Sequence, residues 1–131
     1  MQQLTNLDAS FLHLENDHSP MHVGGVMIFD APVHGRMTFG RLRDHVFARL
    51  QTARVFRQRV VMPAWHLDAP WWVEDEDFQL DNHLRHETVA VPLTHEGLQE
   101  LSAACFSKPL RRDRPLWEMV FVEPDRHAPR R

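Results

Sequence analysis

Leu116 to Val122 reads Leu-Trp-Glu-Met-Val-Phe-Val, a nearly unbroken apolar run that closes ahead of Pro124. A strand of this kind carries apolar side chains on both faces, so it predicts a central strand flanked by other layers. The rest of the 131 residues must supply that cover. A chain of this length buries about two-thirds of the surface its unfolded form exposes, so one domain with a modest core is the expected count.

Helices and strands alternate ahead of that run. Thr5-Asn6-Leu7-Asp8 has the spacing at which a hydroxyl caps a helix and a carboxylate three residues on returns the bond. Leu7, Phe11 and Leu14 then fall on one face of a short helix that must stop before Pro20. Val23-Gly24-Gly25-Val26-Met27-Ile28-Phe29-Asp30 reads as a buried strand, with a close approach of backbone or ligand, or a bulge, at its glycine pair. Phe39, Leu42, Val46, Phe47 and Leu50 repeat at helical spacing within Thr38 to Ala53, the strongest helix in the chain. Phe56 to Met62 and His83 to Val91 read as extended segments, and Thr94 to Cys105 reads as a helix capped by Thr94 with Leu98, Leu101 and Cys105 on one face. The alternation predicts an α/β fold in which a sheet and helices form a sandwich. The polar, proline-containing stretch 124–131 reads as a tail behind the folded unit 1–123.

Charge narrows the partners. Fifteen Lys and Arg against 18 Asp and Glu leave a net charge of -3, which gathers no phosphate, so no nucleic-acid partner is expected. A lone Cys105 cannot form an internal disulfide, and the first residues lack the layout of a signal peptide, so the cytoplasm is the expected compartment. No stretch has the uncharged apolar length of a membrane-spanning helix.

Catalytic constellations are sparse among these residues. The 10 histidines include no His-His pair and no His-Glu-x-x-His, and Pro20 separates His18 from His22 on any helix, so no metal site is expected. His83 and His86 lie in an extended segment, where a separation of three places them on opposite sides. No Gly-x-Ser-x-Gly turn and no glycine-rich phosphate loop occurs, and Cys105 on an apolar helix face reads as an inert buried thiol. The acidic run Glu74 to Asp77 reads as a solvated turn. Arg111-Arg112-Asp113-Arg114 reads as a loop whose arginines Asp113 partly balances, the alternative being a patch for an anionic ligand such as a coenzyme A tail or a lipid headgroup.

Five stretches in register resemble the N-terminal part of the bacterial wax ester synthase/diacylglycerol acyltransferase family. They are Leu4 to Glu15, Pro20 to Gly25, Trp72 through Phe78, Asp81 to His86, and Pro115-Leu116-Trp117 followed by Glu118. The resemblance implies part of the N-terminal lobe of the coenzyme A-dependent, chloramphenicol acetyltransferase-like fold, whose two lobes enclose a tunnel. It also implies the reaction: a hydroxyl of diacylglycerol or a fatty alcohol attacks a fatty acyl-CoA thioester, giving triacylglycerol or a wax ester. Acyl-CoA is then a substrate, and no cofactor is expected.

In that family the second histidine of His-His-x-x-x-Asp-Gly is the general base on the hydroxyl. This chain has no such motif, so no catalytic residue is assigned, and His127, a lone histidine, is not given the role. The expectation is an incomplete lobe, inactive alone, that associates with itself or with a complementary C-terminal fragment through uncovered strand edges. Peripheral contact with a membrane or lipid body is expected alongside. Pro115, Leu116 and Trp117, with His22, Gly24 and Gly25, are the matched residues expected nearest the substrate tunnel, the alternative for both groups being packing. A non-catalytic interaction or lipid-binding module of the same lobe is the second reading.

Overall fold

A computed structural model of the protein describes residues 1–30, 34–64, 68–89 and 93–125. In chain order the elements are β1 (Gln2–Gln3), α1 (Asn6–Leu14), α2 (Phe39–Leu50), β2 (Gln58–Val61), β3 (Trp71–Glu74), β4 (Leu84–Val89), α3 (His95–Phe106) and β5 (Met119–Pro124). Short 3₁₀ turns at Arg54–Arg57 and Leu80–Asn82 lead into β2 and β4. Residues 90 and 91, at the end of the segment expected to be extended, and 126–131 of the expected tail lie outside the described residues.

All three helices begin where a threonine hydroxyl meets the first free amides. Thr5, Thr38 and Thr94 accept from the backbone N–H of Asp8, Arg41 and Gly97 at 3.1, 3.3 and 3.1 Å. Each contact satisfies one of the donors that a helix start leaves unpaired. In α1 the Thr5 hydroxyl also donates to the Asp8 carboxylate at 2.7 Å, so the bond returns to the side chain.

The strands form two small sheets. One has the order β1-β3-β2, fully antiparallel, with Gln2 opposite Trp72 and Val60 opposite the same residue on the other side. The other is a parallel pair, β4 and β5, in register from Leu84 opposite Met119 to Val89 opposite Pro124. Parallel strands cannot be joined by a tight turn, and α3 lies in the crossover between them. The core centres on Leu50, Leu80 and Leu84, with Phe39 and Val46 of α2, Phe78, Trp117 and Met119 packed around it. The helical spacing of α2 thus predicts its buried face, except that Phe47 is exposed.

Four expectations need correction. Val23 to Asp30 is not a buried strand: it pairs with no strand among the described residues and is exposed throughout. Leu116 to Val122 is not a central strand here, because β5 has β4 as its one partner among the described residues and the side chains of residues 119–123 are half-buried. The Leu7, Phe11 and Leu14 face of α1 points outward, and the helix buries Ala9 instead. Cys105 is half-buried, since α3 has no fully buried residue.

The acidic run divides between turn and interior. Glu76 and Asp77 form the exposed turn, whereas Asp75 is buried and its N–H donates to the Arg57 carbonyl at 2.9 Å. Glu74 belongs to β3 and sits by Arg54 and Arg57.

Candidate functional site

A tight turn decides which of the Pro115, Leu116 and Trp117 side chains lines a cleft. The Trp117 N–H donates to the Pro115 carbonyl at 2.9 Å, a three-residue turn with Leu116 at its apex. Pro115 is fully buried behind it. Trp117 packs into the core, stacked on His83 and edge-on to Phe56, with its indole N–H donating to the Phe56 carbonyl at 2.8 Å. Leu116 alone of the three lines a cleft of about 260 Å³.

The cleft is mainly apolar. Phe11 and Leu12 of α1 form one wall with Leu4 ahead of the helix, and Trp72 of β3 contributes from the antiparallel sheet. Leu110 and Leu116 close another side, and Met21, His22 and Val23 line the rest. Its acidic groups are already engaged: the Asp8 carboxylate accepts from the Thr5 hydroxyl at 2.7 Å, and Glu15 accepts from the Met21 N–H at 3.1 Å and from Arg112 at 3.1 Å. Arg112 also donates to the Leu12 carbonyl at 2.6 Å, so one guanidinium holds the end of α1 against the turn that carries Leu110 and Leu116. His22 differs, because its Nδ1 is buried with no hydrogen-bond partner among the described residues.

A larger, more polar hollow lies across α1, bordered by Asn6, Ser10, His13 and Asp68. The apolar cleft is the candidate site, because it joins His22 and Leu116, which lie far apart in sequence.

The glycine pair behaves unequally. A Cβ on Gly24 would lie 2.1 Å from Cε1 of Phe106, so the ring of Phe106 occupies the space that a side chain would need. Nothing lies within 4 Å of the corresponding position on Gly25. Neither glycine lines the cleft, although His22, two residues before Gly24, tilts toward the same ring at a centroid distance of 6.4 Å.

The arginine cluster is internally paired. Arg111 and Arg114 both donate to Asp113, at 3.1 and 3.3 Å, and hold its carboxyl down to about 2. Arg112 is committed to α1 as described. His83 and His86 are also separated in role: His83 is 1% exposed in the core, whereas His86 stacks on Phe39 and lies 3.1 Å from Glu123.

The profile of the wax ester synthase/diacylglycerol acyltransferase catalytic domain matches residues 4–124, which span every element that builds the cleft. The chain belongs to this family. A solved wax ester synthase/diacylglycerol acyltransferase from Marinobacter aquaeolei VT8 superposes with a TM-score of 0.77 at 33% identity, over 94% of this chain and 29% of that one. The mixed α/β fold expected from the alternating elements is therefore the family's fold. Two Mycobacterium tuberculosis relatives named as diacylglycerol O-acyltransferases are 36% and 38% identical, over 94% and 92% of this chain. The chain spans 25% of the first relative and 44% of the second.

Sequence reasoning left the α1 and β3 walls out of the candidate site. Leu4, Phe11, Leu12 and Trp72 all lie within the family-like stretches, so that register was the available signal. The Glu15–Arg112 contact joins residues 97 apart and carries no local pattern that could reveal it. Among the described residues no helix is long and apolar enough to cross a membrane.

Proposed function

We propose that these residues supply an acyl-chain-binding wall of an acyl-CoA-dependent O-acyltransferase and do not catalyse transfer alone. In the proposed reaction the hydroxyl oxygen of a diacylglycerol or fatty alcohol attacks the thioester carbonyl. A C–O bond forms, the C–S bond breaks, and the hydroxyl proton ends on the coenzyme A thiol. A general base must lie within hydrogen-bond reach of that hydroxyl. These 131 residues hold no His-His-x-x-x-Asp-Gly to provide it, so no residue of this sequence is proposed as the base.

The observation that carries this reading is the apolar cleft between α1, Trp72 and Leu116 in a chain of this family. Its volume, about 260 Å³, lies below the ~300–1,000 Å³ of sites that enclose whole small ligands. Part of an aliphatic chain fits such a space. Leu116 at the apex of its turn and Phe11 on α1 are the proposed chain contacts. His22 lines the same cleft, with its Nδ1 buried.

The test is a palmitoyl-CoA titration of the purified chain, paired with a transfer assay using diacylglycerol and hexadecanol. Saturable binding with no turnover above the blank is expected, and Phe11→Asp is expected to weaken binding at least tenfold. Phe11 is 45% exposed, and circular dichroism of the variant checks that the fold is kept. Turnover by the chain alone, or binding indifferent to Phe11→Asp, sinks the reading. An interaction module is the second reading, favoured by the exposed apolar run Val23 to Phe29.

A further inference from the structure

We propose that the indole of Trp72 is the floor of the apolar cleft and sets the length of acyl chain the cleft accepts. This rests on the reading of the cleft as an acyl-chain site, and it adds a determinant of which chains that site prefers.

The lining residues grade from exposed to buried. Val23 is 97% and Phe11 45% exposed, which puts both at the mouth, whereas Leu4 is 5% exposed and lies at the inner end. Trp72 stands beside Leu4. Gln2 and Gln3 pair with Trp72 and Trp71, and the Leu4 N–H carries that register one step further by donating to the Pro70 carbonyl at 2.8 Å. Side chains alternate along a strand, so Leu4 and Trp72 share one face of the sheet. An acyl chain whose coenzyme A end stays in water enters with its methyl end leading, and it meets these two residues last.

Trp72 is also the wall least able to yield. Among the described residues that line the cleft it alone lies in a strand, and β3 is paired on both edges, to Gln2 of β1 and to Val60 of β2. Phe11 and Leu12 belong to α1, and Leu116 sits on its three-residue turn. A backbone held from both sides in a packed sheet does not move aside for an extra methylene, so the floor has a fixed depth.

Apolar room lies behind the indole. Val60 is directly opposite Trp72 across the β2–β3 pair and on the same face, and it is 5% exposed without lining the cleft. Replacing the indole by a methyl group therefore deepens the cleft toward Val60. Each methylene that enters raises affinity about fourfold, while those held out by the floor stay in water and add nothing.

The test is equilibrium dialysis of the 131-residue chain against saturated acyl-CoAs from octanoyl to octadecanoyl, with free coenzyme A as the blank. Affinity is expected to climb with chain length and to level off within the series. Trp72→Ala is expected to raise the ratio of octadecanoyl to octanoyl affinity at least ~10-fold, with Trp72→Leu intermediate. The ratio compares two ligands on one protein, so loss of folded material alone leaves it unmoved. Trp71→Ala removes the same ring from the other face of β3, at a residue that is likewise half-buried, and should leave the ratio unchanged.

The gauge is overturned if affinity in the unsubstituted chain rises through octadecanoyl-CoA without levelling, a result that needs no variant. It is also overturned if the ratio stays put in Trp72→Ala and Trp72→Leu, or if Trp71→Ala shifts it equally. Absence of saturable binding at every chain length would remove the functional reading together with the gauge, whereas binding with an unmoved ratio would remove the gauge alone.

Discussion

The indole of Trp117 lies nearly flat on the imidazole of His83, with ring centroids 4.6 Å apart and planes 18° from parallel. The two are also joined through the backbone, since His83 Nδ1–H donates to the Trp117 carbonyl at 2.8 Å. Phe78 stacks on His83 at 5.2 Å, and the Met119 N–H donates to the His83 carbonyl at 2.8 Å. One buried histidine therefore ties the entry of β4 to that of β5 and fixes the turn whose apex is Leu116. His83→Ala removes a packed ring and strands a carbonyl, and about 3 kcal/mol of stability is the expected loss. Trp117→Phe keeps an aromatic face but abandons the bond to Phe56, with about 1 kcal/mol expected. Urea unfolding of both variants checks the order, and equal losses would contradict the distinction.

Arg112 and Glu15 should couple more strongly than an ordinary surface pair. The Glu15 side chain is 10% exposed and takes two donors, and Arg112 makes a second bond to the end of α1. A double-mutant cycle with Arg112→Ala and Glu15→Gln is expected to give a coupling of about 1 kcal/mol, set against typical exposed pairs at the lower end of ~0.2–1 kcal/mol. Because the contact closes one side of the cleft, Arg112→Ala is also expected to weaken palmitoyl-CoA binding. Coupling indistinguishable from zero would place the pair with ordinary surface ion pairs.

Gly24→Ala and Gly25→Ala should differ although the residues are neighbours. At Gly24 the added methyl meets the ring of Phe106, which must swing aside, and at 38% exposure that ring has solvent to move into. The expected cost is about 1 kcal/mol, relieved in the Gly24→Ala/Phe106→Ala double variant. Gly25→Ala should be neutral within about 0.5 kcal/mol. Thermal unfolding of these variants beside the unsubstituted chain tests this, and no rescue by Phe106→Ala would contradict it.

The residues that were legible in the sequence are those whose structure is set locally. Thr5 and Thr94 cap their helices because a hydroxyl beside free amides needs only the next three residues, and Thr38 follows the same rule at the start of α2 although it was not singled out. Phe39, Val46 and Leu50 define the inner face of α2 by spacing alone. Val23 to Asp30 failed for the opposite reason. An apolar run favours a strand, while its pairing depends on long-range partners that no local pattern names. Leu116 and His22 could be chosen from their motifs, but the three-residue turn that separates Leu116 from Trp117 is a backbone hydrogen bond with no sequence pattern of its own. Asp75 and the Glu15–Arg112 contact were equally hidden, being fixed by elements brought together only in the fold.

Acid should weaken the arginine turn in a narrow window. Hydrogen bonds from Arg111 and then Arg114 hold the Asp113 carboxyl down at about 2, against an ordinary value near 4. A carboxyl with a lowered folded pKa contributes stability that is complete above its unfolded value and is lost as pH falls through the folded one. The contribution should therefore fade between pH about 4 and about 2, as protonation empties the acceptor that both arginines share. Asp81 is lowered in the same direction by Arg43, so it adds to the same limb of the profile. Both carboxyls are exposed, and salt screens exposed pairs, with a Debye length of about 3 Å at 1 M. Asp113→Asn is accordingly expected to flatten the fall of the urea midpoint between pH about 4 and about 2 in dilute buffer, and to match the unsubstituted chain more closely in about 1 M NaCl. A profile equally steep with and without Asp113 would show that the arginine turn does not contribute to acid stability.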